Sequence, residues 1–133
     1  MEVSDKNLHR VAVTATIYNS ERKFLITRRA LELKHFPGSW HVPGGGMTSD
    51  DYTNLPSSTP NHNQWRNVLE IALRREIKEE TTLEIGKLEM LCDLAFIRKD
   101  GLPTLVISYF APYVSGEVKI SPEDMDFAWV TLE

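Results

Sequence analysis

A chain of 133 residues, 41% hydrophobic and 26% charged, is long enough to bury a core and has the composition of a soluble globular domain. Its net charge of -4 argues against a nucleic-acid backbone as partner, which demands a basic surface, but leaves room for a small phosphorylated ligand bridged by metal ions. The polar start MEVSDKNLHR is no signal peptide, and no apolar run approaches the ~18 residues of a membrane span. The single cysteine, Cys92, has no intramolecular disulfide partner, which fits a reducing cytoplasm.

Residues 10–18 alternate, with Val11, Val13, Ala15 and Ile17 on one side, which predicts a strand. The polar turn NSERK leads into a second strand, FLITRR, so the two form a hairpin. A loop through Phe36-Pro37-Gly38 precedes a short Trp40-His41-Val42 segment and the glycines 44–46. From 47 to 63 the composition turns to Ser, Thr, Asn, Asp and Pro, a surface loop with almost nothing apolar. One long helix is expected over 64–82, then strands near 88–98 and 104–113 joined by the turn Lys99-Asp100-Gly101, and a last strand over 127–131. Cys92 falls in the apolar stretch LEMLCDLAFI and reads as a small buried hydrophobe. The sum is one domain over 1–133, an α/β (α+β) fold with a mixed sheet around a central helix and a loop insertion at 47–63.

On a helical wheel, Trp65, Val68, Leu69, Ala72, Leu73 and Ile77 form an apolar stripe, and Asn67, Glu70, Arg74, Lys78 and Thr81 lie opposite. Glu76 and Glu80 fall inside the apolar arc and Glu79 at its edge. A solvated EIKEE helix is ordinary, but buried carboxylates at i, i+3 and i+4 repel one another unless something positive neutralises them. A hard divalent cation with oxygen ligands, such as Mg²⁺, meets that need. The glycine run allows close backbone approach to a ligand and equally serves as a tight turn.

These residues resemble a known family. Gly45 followed by Arg75-Glu76-Ile77-Lys78-Glu79-Glu80 is similar to the Nudix box, G-x5-E-x7-R-E-U-x-E-E-x-G-U, with U aliphatic. Trp40-His41-Val42-Pro43-Gly44-Gly45 resembles the family's W-x-x-P-G-G entry. Phe24 to Ala30 resembles the second strand, and Phe127-Ala128-Trp129-Val130 the last strand, of MutT-type members. Two departures stand out. Gly45 and Arg75 are 30 positions apart where the motif has 14, so 16 residues are inserted. The box's middle glutamate then matches Asp51 counting forward and Asn67 counting back, and is assigned to neither. The glycine that ends the box is Thr82, a poorer left-handed cap by about 1 kcal/mol.

The resemblance implies an α/β/α sandwich, its second helix truncated here or its bare face covered by a homodimer partner. It also implies a Mg²⁺- or Mn²⁺-dependent pyrophosphohydrolase. Glu79 and Glu80 lead its metal ligands, Glu76 is a third, Gly45 joins the metal set, and Arg75 orients the acids through a salt bridge. A further acid expected before the last strand is assigned to Glu123. For substrate, Arg28 or Arg29 would meet phosphate, and Phe36, Trp40 or Phe96 would stack on a base. Asp124 or Asp126 could read a base edge, and the histidines carry no ligand spacing. A modified nucleoside triphosphate is the favoured substrate, cut to a monophosphate and pyrophosphate. ADP-ribose, a nucleotide sugar and a dinucleoside polyphosphate stay open, as does a non-catalytic nucleotide-binding module with the same fold. No nucleic acid or membrane partner is expected.

Overall fold

The computed structural model describes residues 5–132; the chain's first four residues, and with them part of the polar start read above, lie outside the described residues. A single turn of 3-10 helix, Asp5–Asn7, leads into β1 (Arg10–Tyr18) and β2 (Phe24–Arg29), the two strands whose alternation and turn residues were plainest. Short strands β3 (Trp40–His41) and β4 (Gly44–Gly46) follow, then a one-turn helix α1 (Asp50–Thr53) and the 14-residue helix α2 (Val68–Thr81). The chain then forms β5 (Glu84–Ile85), β6 (Glu89–Ile97), β7 (Pro103–Ser115) and β8 (Asp124–Val130). No described helix is long and apolar enough to cross a membrane.

The described strands join one mixed sheet of eight, with the path β3-β2-β1-β7-β5 and with β4, β6 and β8 attached to β1, β7 and β2. β1 and β7 run parallel over nine register pairs, from Arg10↔Thr104 to Tyr18↔Pro112. Parallel neighbours need a long crossover, and α2 lies within it. The buried face of β1, Val13, Ala15 and Ile17, meets Ala72, Leu73 and Ile77 of α2, together with Leu25, Ile107 and Ala111. Burying a side chain such as Leu73 or Ile77 contributes about 1.5–3 kcal/mol, which fixes the helix, and so its acids, against the sheet. On the other face Thr14 donates to Ser108 at 2.9 Å, so that face is partly polar.

Several expectations change. The helix begins at Val68, four residues later than its pattern, because Asn67 takes a left-handed conformation (φ 61°) that an α-helix cannot contain. Trp65 therefore leaves the apolar stripe and stacks on Tyr52 instead, ring centroids 5.3 Å apart. Thr81, expected to face solvent, is fully buried with its hydroxyl donating to the Ile77 carbonyl at 2.7 Å. Cys92 is exposed, not buried: β6 pairs only with β7, and Met90, Leu91 and Leu94 beside it are also more than half exposed. The strand read at 104–113 runs to Ser115, and the last strand starts at Asp124 rather than 127.

Thr82 occupies the left-handed cap position, at φ 66°, as the missing glycine implied. Its N–H reaches the Lys78 carbonyl at 3.0 Å, and its hydroxyl donates to the Glu117 carbonyl at 2.6 Å. Segment 117–121 closes this helix end, with Lys119 N–H on the Thr81 carbonyl and Ser121 N–H on the Glu80 carbonyl. The same segment brings Glu123 and Asp124 to the acidic face of α2.

Candidate active site

A cleft of about 880 Å³ opens along the acidic face of α2. It is lined by the glycines 44–46, by Ser121, Pro122 and Glu123, and by Arg75, Glu76, Glu79 and Glu80 of α2. Glycine lets β4 lie close against β1 and against the Glu76 side chain. A Cβ on Gly45 would lie 2.4 Å from the Glu76 carboxyl carbon, and one on Gly44 would lie 2.1 Å from the Val13 carbonyl oxygen. The three-glycine run therefore lays bare backbone directly over carboxylates.

The outer end of the cleft is organised by Arg75. Its Nη1 donates to Glu76 at 2.9 Å and to Glu79 at 3.0 Å. Its Nε and Nη2 grip the Asp51 carboxylate in a two-point pair, with Nη2 to Oδ2 at 3.1 Å, and Nη2 also donates to the Gly46 carbonyl at 3.3 Å. The Asp51 side chain is only 2% exposed, and its hydrogen bond to Arg75 holds its pKa below the usual carboxylate value. Burial pushes Glu76 up, Arg75 pulls it back, and the nearby charges of Glu79 and Glu123 push it up further. Asp51, six residues after Gly45 and one of the two positions the motif count reached, is the one that pairs with Arg75.

The inner end holds Glu80, whose side chain is 8% exposed. It accepts the Gly44 N–H at 2.9 Å and the Thr27 hydroxyl at 3.4 Å. Burial pushes its pKa up to about 9, assisted by a hydrogen bond with Asp124 and by the charges of Asp124 and Glu76, against the Gly44 N–H. Among the described residues no lysine or arginine pairs with Glu80 or with Asp124. Asp124, with a side chain 1% exposed, carries a buried Oδ2 that has no hydrogen-bond partner.

Strand pairing explains this convergence. Thr27 of β2 stands opposite His41 of β3 on one side and Phe127 of β8 on the other. A bulge shifts the β2–β8 register between Arg28 and Arg29, so that Asp124 pairs with Arg29. Bulges re-aim side chains beside sites, and this one places a carboxylate next to Glu80 and His41. Sequence reasoning gave His41 no role and weighed Asp124 only as a base reader. Their meeting depends on non-local pairing that no local pattern reveals. Asp51 was within reach, since counting forward from Gly45 lands on it.

The structure brings together Arg75, Glu76, Glu79, Glu80, Glu123, Gly45 and Arg29. It does not bring Arg28, Phe36 or Trp40 to the cleft walls. Arg28 Nε is bound to the Gly38 carbonyl at 2.9 Å, and Trp40 sits on the short β3, 44% exposed. Phe36, 62% exposed, makes an edge contact with Phe96 at 6.3 Å. Arg29 Nε donates to the His35 carbonyl at 2.8 Å, leaving the rest of its guanidinium for the cleft. Of the 47–63 stretch only Thr48, Asp50 and Asp51 line the cleft. Further along, Ser57 binds the carbonyls of Thr59 and Gln64 at 2.8 and 2.9 Å, folding the insertion onto itself.

A glycine strand lying on a helix of glutamates, with an arginine locking the helix to the loop, defines a hydrolase of phosphorus-containing anhydrides. The model of the NUDIX domain matches residues 8–133, and the chain belongs to that family. The nucleoside triphosphatase NudI of Escherichia coli O139:H28 is 25% identical over 135 positions, which cover 91% of this chain and 82% of that protein. Among solved structures, a MutT protein from Methanosarcina mazei Go1 is 26% identical with a TM-score of 0.68, over 93% of this chain and 78% of its own. A MutT NUDIX hydrolase from Burkholderia pseudomallei, at 24% identity and a TM-score of 0.73, shares the fold over 95% of this chain and 85% of its own.

Proposed function

We propose that this hydrolase cleaves a nucleoside triphosphate, modified or not, to the monophosphate and pyrophosphate with the help of Mg²⁺ or Mn²⁺. One observation carries the reading: Glu76, Glu79, Glu80 and Glu123 converge on a single cleft under bare glycine backbone. The orphaned Asp124 oxygen and the raised pKa of Glu80 fit a site built around positive charge. Glu79 and Glu80, with Glu76, Glu123 and the backbone at Gly45, would hold the ion. A bound divalent ion would neutralise the diphosphate and lower the pKa of water.

The chain's own residues perform the rest. Arg75 keeps Glu76 and Glu79 turned into the cleft and fastens α2 to α1 through Asp51. The Gly44–Gly46 strand lets a phosphate chain approach without meeting a side chain. Arg29 faces the same space and supplies the fixed positive charge that phosphoryl oxygens require. The similarity to the nucleoside triphosphatase NudI supports the triphosphate among the possible substrates. In this reading the chain is one catalytic domain whose insertion lies between α1 and α2.

The test is turnover of a panel, with Mg²⁺, of nucleoside triphosphates, oxidised deoxynucleoside triphosphates, ADP-ribose, nucleotide sugars and dinucleoside polyphosphates. Expected is monophosphate and pyrophosphate from a triphosphate, lost in Glu80→Gln. Cleavage confined to ADP-ribose or a nucleotide sugar would replace the substrate and leave the site reading intact.

A further inference from the structure

The inner end of the cleft differs chemically from the glutamate face, and the difference lies in a nitrogen. His41 Nδ1 stands 2.7 Å from the Val42 carbonyl oxygen. A carbonyl only accepts, so Nδ1 carries a proton, and Nε2 is the nitrogen left facing the acids. Its neighbours there are carboxyl oxygens: Asp124 Oδ1 is 3.4 Å away and Glu80 Oε1 4.0 Å. The Thr27 hydroxyl lies 3.3 Å from Nε2 and donates to Glu80 at 3.4 Å. Three electron-rich atoms therefore face one another within 4.8 Å, two of them on buried carboxylates.

We propose that His41, Glu80 and Asp124 form a nitrogen-bearing cation site that selects a borderline divalent transition ion, such as Mn²⁺, Co²⁺ or Zn²⁺, over Mg²⁺. It deepens the functional reading and rests on it to this extent, that Glu80 faces a cation. Two independent observations point to a ligand. The Asp124 Oδ2 is buried in a side chain 1% exposed and has no partner. The His41 tautomer is fixed by a backbone carbonyl in the manner of ligating histidines, whose second ring nitrogen is held that way. Ligands about 2.1 Å from one ion stand roughly 3–4 Å apart; Nε2 lies 3.4 Å from Asp124 and 4.0 Å from Glu80, and all three ligand atoms lie within 4.8 Å of one another. Imidazole nitrogen favours transition ions, whereas Mg²⁺ keeps to oxygen, so His41 is the selective element. The competing occupant of the gap is a proton on Nε2.

The experiment is pulsed electron paramagnetic resonance of the metal-free protein loaded with Mn²⁺, reading ¹⁴N coupling to the ion. The wild type should show imidazole nitrogen coupling. His41→Ala and Asp124→Asn should lose it, with thermal melts confirming that both fold. Calorimetry should show His41→Ala weakening Mn²⁺ and Co²⁺ about 10–100-fold while moving Mg²⁺ less. Bound Mn²⁺ without nitrogen coupling in the wild type would overturn the proposal yet leave the oxygen-ligand reading standing. So would coupling that persists in His41→Ala. No Mn²⁺ binding at all would overturn both.

Discussion

The two ends of the acidic helix face solve the problem of crowded carboxylates in different ways. At the outer end, Glu76 and Glu79 share one guanidinium with Asp51, and Arg75 makes charge-assisted bonds to all three. At the inner end, Glu80 and Asp124 lie deeper and, among the described residues, have no lysine or arginine between them. A two-point arginine–carboxylate pair is rigid and self-sufficient. Two buried carboxyl groups with only a histidine nitrogen beside them are not. The outer end therefore carries its own positive charge, which also holds loop to helix, and the inner end carries none that is fixed. The difference also explains why the insertion is tolerated. It enters between Asp51 and α2, after the acid that locks the arginine and outside the atoms that face the cleft.

The largest effect is expected at the inner end. Glu80→Gln removes a charge that transition-state neutralisation needs, and the loss of several kcal/mol corresponds to about a thousand-fold in kcat/KM. Steady-state kinetics with saturating Mg²⁺ checks it; a loss under tenfold would remove Glu80 from the machinery. Next comes Asp51→Asn, which breaks the two-point pair and frees Arg75 to shift. Activity should fall about 10–100-fold, because the residue acts through Arg75 on the glutamates. The melting temperature should fall with it. Rescue of both by Asp51→Glu, the residue type of the family motif, would separate a positioning role from general loss of folding.

A pH series on metal-free protein sharpens the contrast. Glu80 has a folded pKa of about 9 against an ordinary 4.5, so the folded state binds its proton more tightly than the unfolded chain. Its contribution to stability is whole below 4.5 and is lost as pH rises towards 9. Glu76, also raised, acts in the same direction. Asp51 is depressed, so its contribution is present at neutral pH and lost as pH falls through its folded pKa, below 3.8. Urea unfolding without metal should show stability declining from pH 5.5 to 8.5, and Glu80→Gln should flatten that slope. Stability that instead rises over this range would contradict the inner-end account. The smallest effect is expected at Thr82, whose left-handed cap conformation is strained for a β-branched residue. Thr82→Gly should raise stability by at most about 1 kcal/mol, offset in part by the lost hydroxyl bond to Glu117, as urea titration would show.

Legibility followed the range of the interaction. β1 and β2 were readable to the residue, because alternation and turn chemistry are local. Glu76, Glu79, Glu80 and Arg75 were readable as one face because helical spacing alone stacks them. The helix start was not, since a left-handed Asn67 overrides the apolar periodicity that includes Trp65. Thr81 was misplaced because segment 117–121 folds over a face that the wheel left open. Cys92 looked buried because an apolar strand suggests a covered one, and only the sheet order shows β6 paired on one side. His41 and Asp124 were beyond reach for a further reason. They meet through β3 and β8 on either side of Thr27, with a bulge setting the register, and none of these is written in a local pattern.

The difference between Asp51, which acts through Arg75, and Glu80, which would hold the ion, is tested most directly by calorimetric titration of Mn²⁺ into Glu80→Gln and Asp51→Asn, each paired with a thermal melt. The account predicts that Glu80→Gln loses most of its metal affinity while melting, metal-free, no lower than the wild type. Asp51→Asn should melt lower and keep its Mn²⁺ affinity within about tenfold. Metal binding untouched by Glu80→Gln, or abolished by Asp51→Asn in protein that remains folded, would contradict it.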